Sequence, residues 1–258
     1  MTNTQFIHAE LSAVEEKEDV TILLAVESGS RAWGFDSPGS DYDVRFIYVR
    51  DYRQYLRLDE RNDVIEWKLN ETLDINGWDF DKTLRLLHAS NPTLFEWLNS
   101  PIIYREHPAM SNLMENANAY YRPRSCLFHY LHMAKGNYRT YLKSDMVMLN
   151  KYLHVLRPIL ACRHILSEGT FPPIPFVQLL ESQMEPSLMP DVAQLLKMKR
   201  DGTQTGLTPR RQRINDYIDE SLLWLGMEIE KQPSDKPGPW QPLNDVFLRS
   251  MEIHPSNP

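Results

Sequence analysis

Glu27-Ser-Gly-Ser-Arg-Ala-Trp-Gly-Phe-Asp-Ser-Pro-Gly-Ser-Asp-Tyr-Asp-Val44 is the stretch whose reading decides the fold of this chain. It lies between two apolar runs. Before it, Val20-Thr-Ile-Leu-Leu-Ala-Val26 is short and rich in β-branched residues, which predicts a buried strand. Overlapping its end, Tyr42-Asp-Val-Arg-Phe-Ile-Tyr-Val49 alternates in polarity and predicts a second strand. Asp36-Ser-Pro-Gly39 between them is turn chemistry. Gly29-Ser30 follows the first strand directly and is expected to open a short helix. Glycine lets the backbone approach a ligand closely, the following N–H groups favour phosphate, and the Ser30 hydroxyl adds a donor. The plainer reading of Gly-Ser alone is a strand-to-helix turn with serine as its cap.

Asp41 and Asp43 stand at i and i+2 where the second strand begins. In a strand they point to one face, with α-carbons roughly 6.5–7 Å apart. Carboxylates converging from there can share ions roughly 3.5–4 Å apart. Magnesium favours such oxygen donors and leaves room for substrate phosphates. In isolation, Asp-x-Asp reads as two solvated turn residues. A third acid completes such a site. Residues 63–75 predict a third strand, or a hairpin turning near Asn70, and Asp74 sits there between Leu73 and Ile75. Asp79 is its competitor, although a position just before a helix suits capping better.

From Asp79 onward the pattern becomes helical. Asp79 is expected to cap a helix through Leu84, Leu87 and His88, and Asn91-Pro92 to start another carrying Leu94, Phe95 and Leu98. Leu149, Leu153, Leu156 and Leu160 form one helical stripe, which Pro158 is expected to kink or split and Gly169 to end. Residues 214–230 predict a further amphipathic helix, and the Pro-rich tail after Gln232 is expected to be loose or draped over the surface. The reading is therefore α+β: a small mixed sheet with flanking helices over residues 1–120, then a mostly helical, partly basic domain over 121–258.

The 258 residues, 42% of them hydrophobic, suffice for a buried core. No apolar run is long enough for a membrane span, and no basic and apolar leader opens the chain, so a cytoplasmic protein is expected. Cys126 and Cys162 have neither disulfide nor zinc spacing and read as buried small hydrophobes. The net charge of −7 argues against nucleic acid, but its distribution is uneven. Residues 1–120 hold 11 basic and 21 acidic side chains, whereas 121–165 hold 8 basic side chains and one acid, Asp145. Such asymmetry points to an anion meeting carboxylate-bound metal. A second basic patch, Lys197 to Arg200 with Arg210 to Arg213, is expected in a solvated loop.

The order strand, Gly29-Ser30, Asp41-x-Asp43, strand, Asp74 resembles the polymerase-beta nucleotidyltransferase superfamily. Gly-Ser-Arg-Ala-Trp-Gly34, Ser40-Asp-Tyr-Asp-Val44, the run from Asp74 to Asp79, Lys82, Asn91-Pro92 and Glu96-Trp97-Leu98 are similar to its RNA-repair-associated subfamily of predicted nucleotidyltransferases. The firm part covers roughly residues 20–105. The resemblance implies a nucleotidyltransferase sheet with Mg²⁺, or Mn²⁺ in its place, on Asp41, Asp43 and Asp74. It also implies Gly29, Ser30 and Arg31 on the phosphates of an NTP, and Asp74 beside the acceptor. Lys151 and Arg157, among tyrosines in the basic segment, are expected to receive triphosphate, RNA or both. The acceptor is expected to be an RNA or tRNA hydroxyl. A protein hydroxyl, as in toxin–antitoxin nucleotidylation, a small molecule such as an aminoglycoside, and a non-catalytic nucleotide- or RNA-binding regulator are the alternatives. The oligomeric state is left open.

Overall fold

The structure, a computed structural model, describes residues 2–70, 72–202 and 207–254. Two compact units are present. The first is Asp41–Tyr121 with both terminal segments, up to Ala32 and from Pro237 onward; the second is Arg122–Lys236 with Trp33–Ser40.

The first unit runs α1 (Asn3–Glu18), β1 (Val20–Glu27), α2 (Gly29–Ala32), β2 (Tyr42–Arg50), α3 (Tyr52–Tyr55), β3 (Val64–Leu69), β4 (Leu73–Asp79), α4 (Phe80–His88), α5 (Pro92–Leu98), β5 (Ile103–Glu106) and α6 (Met110–Ala117). Its five strands are ordered β3-β4-β2-β1-β5. All neighbours are antiparallel except β2 and β4, which run parallel. The predicted hairpin forms as β3–β4, with the Asn70 side chain accepting from the amides of Thr72 and Leu73. One sheet face, with Val44, Phe46, Tyr48, Leu73 and Ile75, packs on Ile7, Leu11 and Val14 of α1. By the strand alternation, the opposite face receives Asp43, Arg45, Asp74, Asn76 and Trp78. There Trp78 stacks on Trp97 of α5, ring centres 3.8 Å apart.

The helix starts follow the expected caps. Asp79 accepts from the Asp81 amide, and Asn91 accepts from that of Leu94 with Pro92 at the first helical position. α1 and β5 lay outside the sequence reading. The capping box at Thr2 and Gln5 was the available signal for α1.

The second unit holds α7 (Pro123–Tyr141), β6 (Met146–Met148), α8 (Asn150–Glu168), α9 (Phe176–Gln183), α10 (Met189–Arg200), β7 (Leu207–Pro209) and α11 (Gln212–Glu230). α8 crosses Pro158 unbroken. Proline lacks the N–H that would bond the carbonyl four residues back. Here that carbonyl, of His154, accepts from the Asn137 side chain of α7 at 3.5 Å instead. Gly169 ends α8 at φ 70°, as expected. Cys126 and Cys162 are buried, and neither forms a disulfide. The second basic patch is not one loop: Lys197–Arg200 closes α10, and Arg210 and Arg211 lead into α11.

The tail corrects its expectation. It forms α12 (Gln241–Ser250) in the first unit, because its few apolar residues find partners there. Leu243 is buried, Phe247 meets Tyr55 edge-on at 5.1 Å, and Trp240 stacks on His88 at 3.6 Å. Among the described residues, no helix is long and apolar enough to cross a membrane.

Candidate active site

The site grows from the junction of β1 and β2. β1 ends at Glu27, and the Ser28 amide donates to the Asp43 carbonyl at 2.8 Å. Gly29 then turns the chain at φ +60°, the left-handed region. It lies so close to β2 that a Cβ built on it would stand 2.1 Å from Asp43 Oδ2. Only glycine leaves that carboxylate its place.

Parallel pairing sets Asp43 directly opposite Asp74, and Tyr48 opposite Asp79. One guanidinium joins the first pair. Arg45 donates to Asp43 Oδ1 at 3.0 Å and to Asp74 Oδ2 at 2.7 Å, and its other nitrogen donates to the Asp74 and Val44 carbonyls. Asn76 donates to Asp74 Oδ1 at 3.3 Å. Burial pushes the Asp43 carboxyl above the usual range; Arg45 opposes the shift, while Asp41 and Asp74 add to it. A partly buried pair of like charges held by one cation is a place that draws positive charge.

Asp41 stands exposed, one residue before β2. Arg31 Nε donates to its carbonyl at 2.9 Å, and the Arg31 guanidinium lies over the Tyr42 ring at 3.8 Å. Ser30 is buried. Asp79 lies on the opposite sheet face, fully buried and accepting from Tyr55 at 2.8 Å, with Arg50 and Arg61 each 3.4 Å away. Burial, and then Asp81, push its carboxyl up to about 6. Asp74 thus neighbours Asp43, and Asp79 does not.

Two residues escaped the sequence reading. Arg45 bridges the acids from position i+2 of the strand, a spacing visible in the sequence. Glu27 is fully buried; its carboxylate accepts from the Asp43 amide at 2.9 Å and from the Tyr104 hydroxyl at 2.5 Å. Burial pushes its carboxyl up, against the pull of those two hydrogen bonds. An acid ending an apolar strand was the only hint of its role.

Lys151 and Arg157 lie on α8 of the second unit. Lys151 sits 4.6 Å over the Tyr141 ring, and the buried Arg157 4.4 Å over Trp33. His154 packs between Trp33 and Phe35, with ring centres at 5.7 and 6.0 Å. Burial, with Lys151, Lys199 and Arg157 as neighbouring charges, pulls its pKa down to about 4.

A glycine turn is thus pressed on one of two in-register carboxylates at the end of a small mixed sheet. The RNA repair pathway DNA polymerase beta family matches residues 4–249, and the chain belongs to that family. It is a nucleotidyltransferase, acting on a nucleotide substrate. The uncharacterized protein YcgL of Bacillus subtilis (strain 168) is 40% identical over 250 residues, which span 96% of each chain. A nucleotidyltransferase-like protein from Exiguobacterium sibiricum 255-15, known from a crystal structure, aligns with a TM-score of 0.32 at 14% identity. The alignment covers 98% of this chain and 81% of that one, and at that score it carries no inference.

Nucleotidyltransferases of this kind generally use divalent metals. The donor set suits such an ion: hard carboxylate oxygens, in a cradle that a Cβ on Gly29 would fill. Among the described residues, no three His, Cys, Asp or Glu side chains converge closely enough to hold a metal. The structure brings Asp43 and Asp74 together through Arg45, and does not gather Asp41 with them.

Proposed function

We propose that this nucleotidyltransferase moves a nucleoside monophosphate from an NTP to a hydroxyl on RNA, releasing pyrophosphate, and that Asp43 and Asp74 would hold Mg²⁺, with Asp41 joining them only when its exposed side chain turns toward the pair. The observation that carries the reading is the in-register pair Asp43 and Asp74 with Gly29 seated against the first. When bound, the divalent ion supplies charge neutralisation at the transferring phosphate. Mn²⁺ would serve the same donors.

The chain's own residues divide the work. β2 lies between β1 and β4, so Gly29 and Asp74 flank Asp43 from opposite sides. Gly29 and Ser30 offer backbone N–H groups to the NTP phosphates. Arg31 adds charge there while its Nε holds the Asp41 carbonyl in place. Asp74 orients the acceptor hydroxyl and takes its proton. The hydroxyl oxygen bonds the α-phosphorus as the bond to pyrophosphate breaks. In the second unit, Lys151 and Arg157, with Lys199 close by, form a positive field suited to phosphate.

RNA as the acceptor is supported by the family's description, which names RNA repair, and by the basic, tyrosine-bearing segment 121–165. Incubating the protein with Mg²⁺, each α-labelled NTP and total RNA tests it. Label on RNA, lost in Asp43→Ala, is the expected result. Label on protein would move the acceptor to a polypeptide, and label on neither would withdraw the RNA claim.

A further inference from the structure

β3 is an edge of the five-stranded sheet and pairs with β4 on one side. Its main chain can be followed group by group. The Asp79 amide donates to the Asp63 carbonyl at 2.9 Å, and Val64 stands opposite Trp78, so Asp63 and Asp79 form a hydrogen-bonded pair. Such pairs alternate along an antiparallel ladder. Ile65, opposite Gly77, therefore turns its main chain toward β4, while Val64 and Glu66 turn theirs outward. The Val64 amide agrees, because it donates to the Asn62 side chain at 3.1 Å and not to β4. The Val64 carbonyl and both main-chain groups of Glu66 thus face the open side of the sheet.

There is room for another chain beside them. Cavities of about 340 and 570 Å³ meet at Glu66 and together line β3 from Val64 to Lys68. The register slips between Glu66 and Lys68, and the successive side chains of Trp67 and Lys68 both reach Glu10 of α1, at 2.8 Å each. A bulge ends regular pairing, so the edge offers a short, bounded docking length.

Charge selects the occupant. Glu66 is exposed on the sheet face it shares with Asn76, and Glu18, the last residue of α1, lines the larger cavity from the helix side. The cations beside them are already matched with acids, Lys68 with Glu10 and Arg50 with Asp79. The edge therefore disfavours phosphate and favours Lys or Arg. A second copy of β3 fits poorly. Two-fold pairing of a strand with itself is antiparallel. Centred on Glu66, it sets two carboxylates directly opposite each other, which destabilises a pair. Centred on Val64 or Ile65, it needs the Val64 amide that Asn62 already holds.

We propose that β3 is a docking edge for a partner protein, which adds a short, extended, basic segment as a sixth strand. Successive side chains of an added strand point to opposite faces. One Lys or Arg then meets Glu66, and its neighbour meets Glu18 on the α1 side. The main-chain bonds hold the segment, and the two carboxylates select its charge.

The test titrates three labelled hexapeptides onto the full-length protein: a lysine–valine repeat, a glutamate–valine repeat, and a lysine–proline repeat that keeps the charge but lacks half the amides. The lysine–valine peptide is expected to bind roughly tenfold or more tightly than either of the others. Glu66→Lys is expected to erase its advantage over the glutamate–valine peptide. Glu66→Pro removes only an outward amide, as an edge strand tolerates, and is expected to weaken the lysine–valine peptide roughly tenfold. Hydrogen exchange should show the Glu66 amide protected when that peptide is bound, and circular dichroism confirms that both variants fold. No binding, equal binding of the lysine–valine and lysine–proline peptides, or full affinity in both variants would overturn the proposal. Self-association that the lysine–valine peptide displaces would assign the edge to a second copy and overturn it too.

Discussion

Gly29 and Asp43 touch: the glycine backbone occupies the space beside the carboxylate so closely that a methyl group on it would overlap Oδ2 at 2.1 Å. Gly29→Ala therefore faces two costs. The left-handed backbone costs about 1–2 kcal/mol for an L side chain, and the carboxylate must turn away from its Arg45 contact. The expected outcome is a melting point lower by several degrees and a transfer rate roughly a hundredfold lower, the scale of a displaced reacting geometry. Melting curves and single-turnover kinetics check it. Unchanged kinetics would show that Asp43 need not hold this position.

Arg45 bridges the Asp43–Asp74 pair with one guanidinium nitrogen. Arg45→Met leaves two carboxylates facing each other, a loss of about 1–3 kcal/mol. A divalent cation should then compensate. We expect Mg²⁺ to raise the melting temperature of the variant more than that of the parent. Equal shifts would mean that the acid pair does not bind the ion.

Glu27 separates charge from hydrogen bonding. Glu27→Gln keeps an acceptor for the Asp43 amide, whereas Glu27→Ala orphans that amide and the Tyr104 hydroxyl at a cost of about 1–3 kcal/mol. Burial raises the Glu27 carboxyl, so its ionisation opposes folding as pH climbs from the unfolded value through the folded one. The glutamine variant should thus be at least as stable as the parent at neutral pH, and the alanine variant clearly less so. Denaturant melts at neutral and mildly acidic pH read both.

His154 gives the second unit an acid-sensitive point. Its folded pKa of about 4 lies below the unfolded value of about 6.5, so the unfolded chain binds the extra proton between them. Stability is present above about pH 6.5 and is lost as pH falls toward 4, by a limit on the order of 3 kcal/mol. Asp79, raised to about 6, acts in the opposite direction: its share is lost as pH rises from about 4 to 6. His154→Gln should flatten the acid side of the stability curve. A curve unchanged by that substitution would place the acid sensitivity elsewhere.

The strands, the β3–β4 hairpin and the caps at Asp79 and Asn91 were legible because each rests on local chemistry: β-branched runs, turn residues, an acid or amide before a helix. The acids were legible for the same reason, lying two apart at a strand start. What bridges them was not. Arg45 acquires its role only when β4 settles beside β2 and puts Asp74 opposite Asp43. Glu27 acquires its role only when the Asp43 amide arrives beneath it. Trp33 and Phe35 lie inside the deciding stretch yet pack in the second unit, on Arg157 and Phe176. No local pattern gives an aromatic residue in a loop its address. The tail was misread because its prolines outnumber the three apolar residues, Trp240, Leu243 and Phe247, that seat it.

The central claim is that Asp43 and Asp74 act as one unit in nucleotidyl transfer. Pyrophosphate release from each NTP, measured with Mg²⁺ and RNA for the parent, Asp43→Asn, Asp74→Asn and the double variant, tests it most directly. If the pair works as a unit, each single substitution removes nearly all the activity and the double removes little more. Activity surviving in both single variants, or losses that multiply in the double, would contradict it.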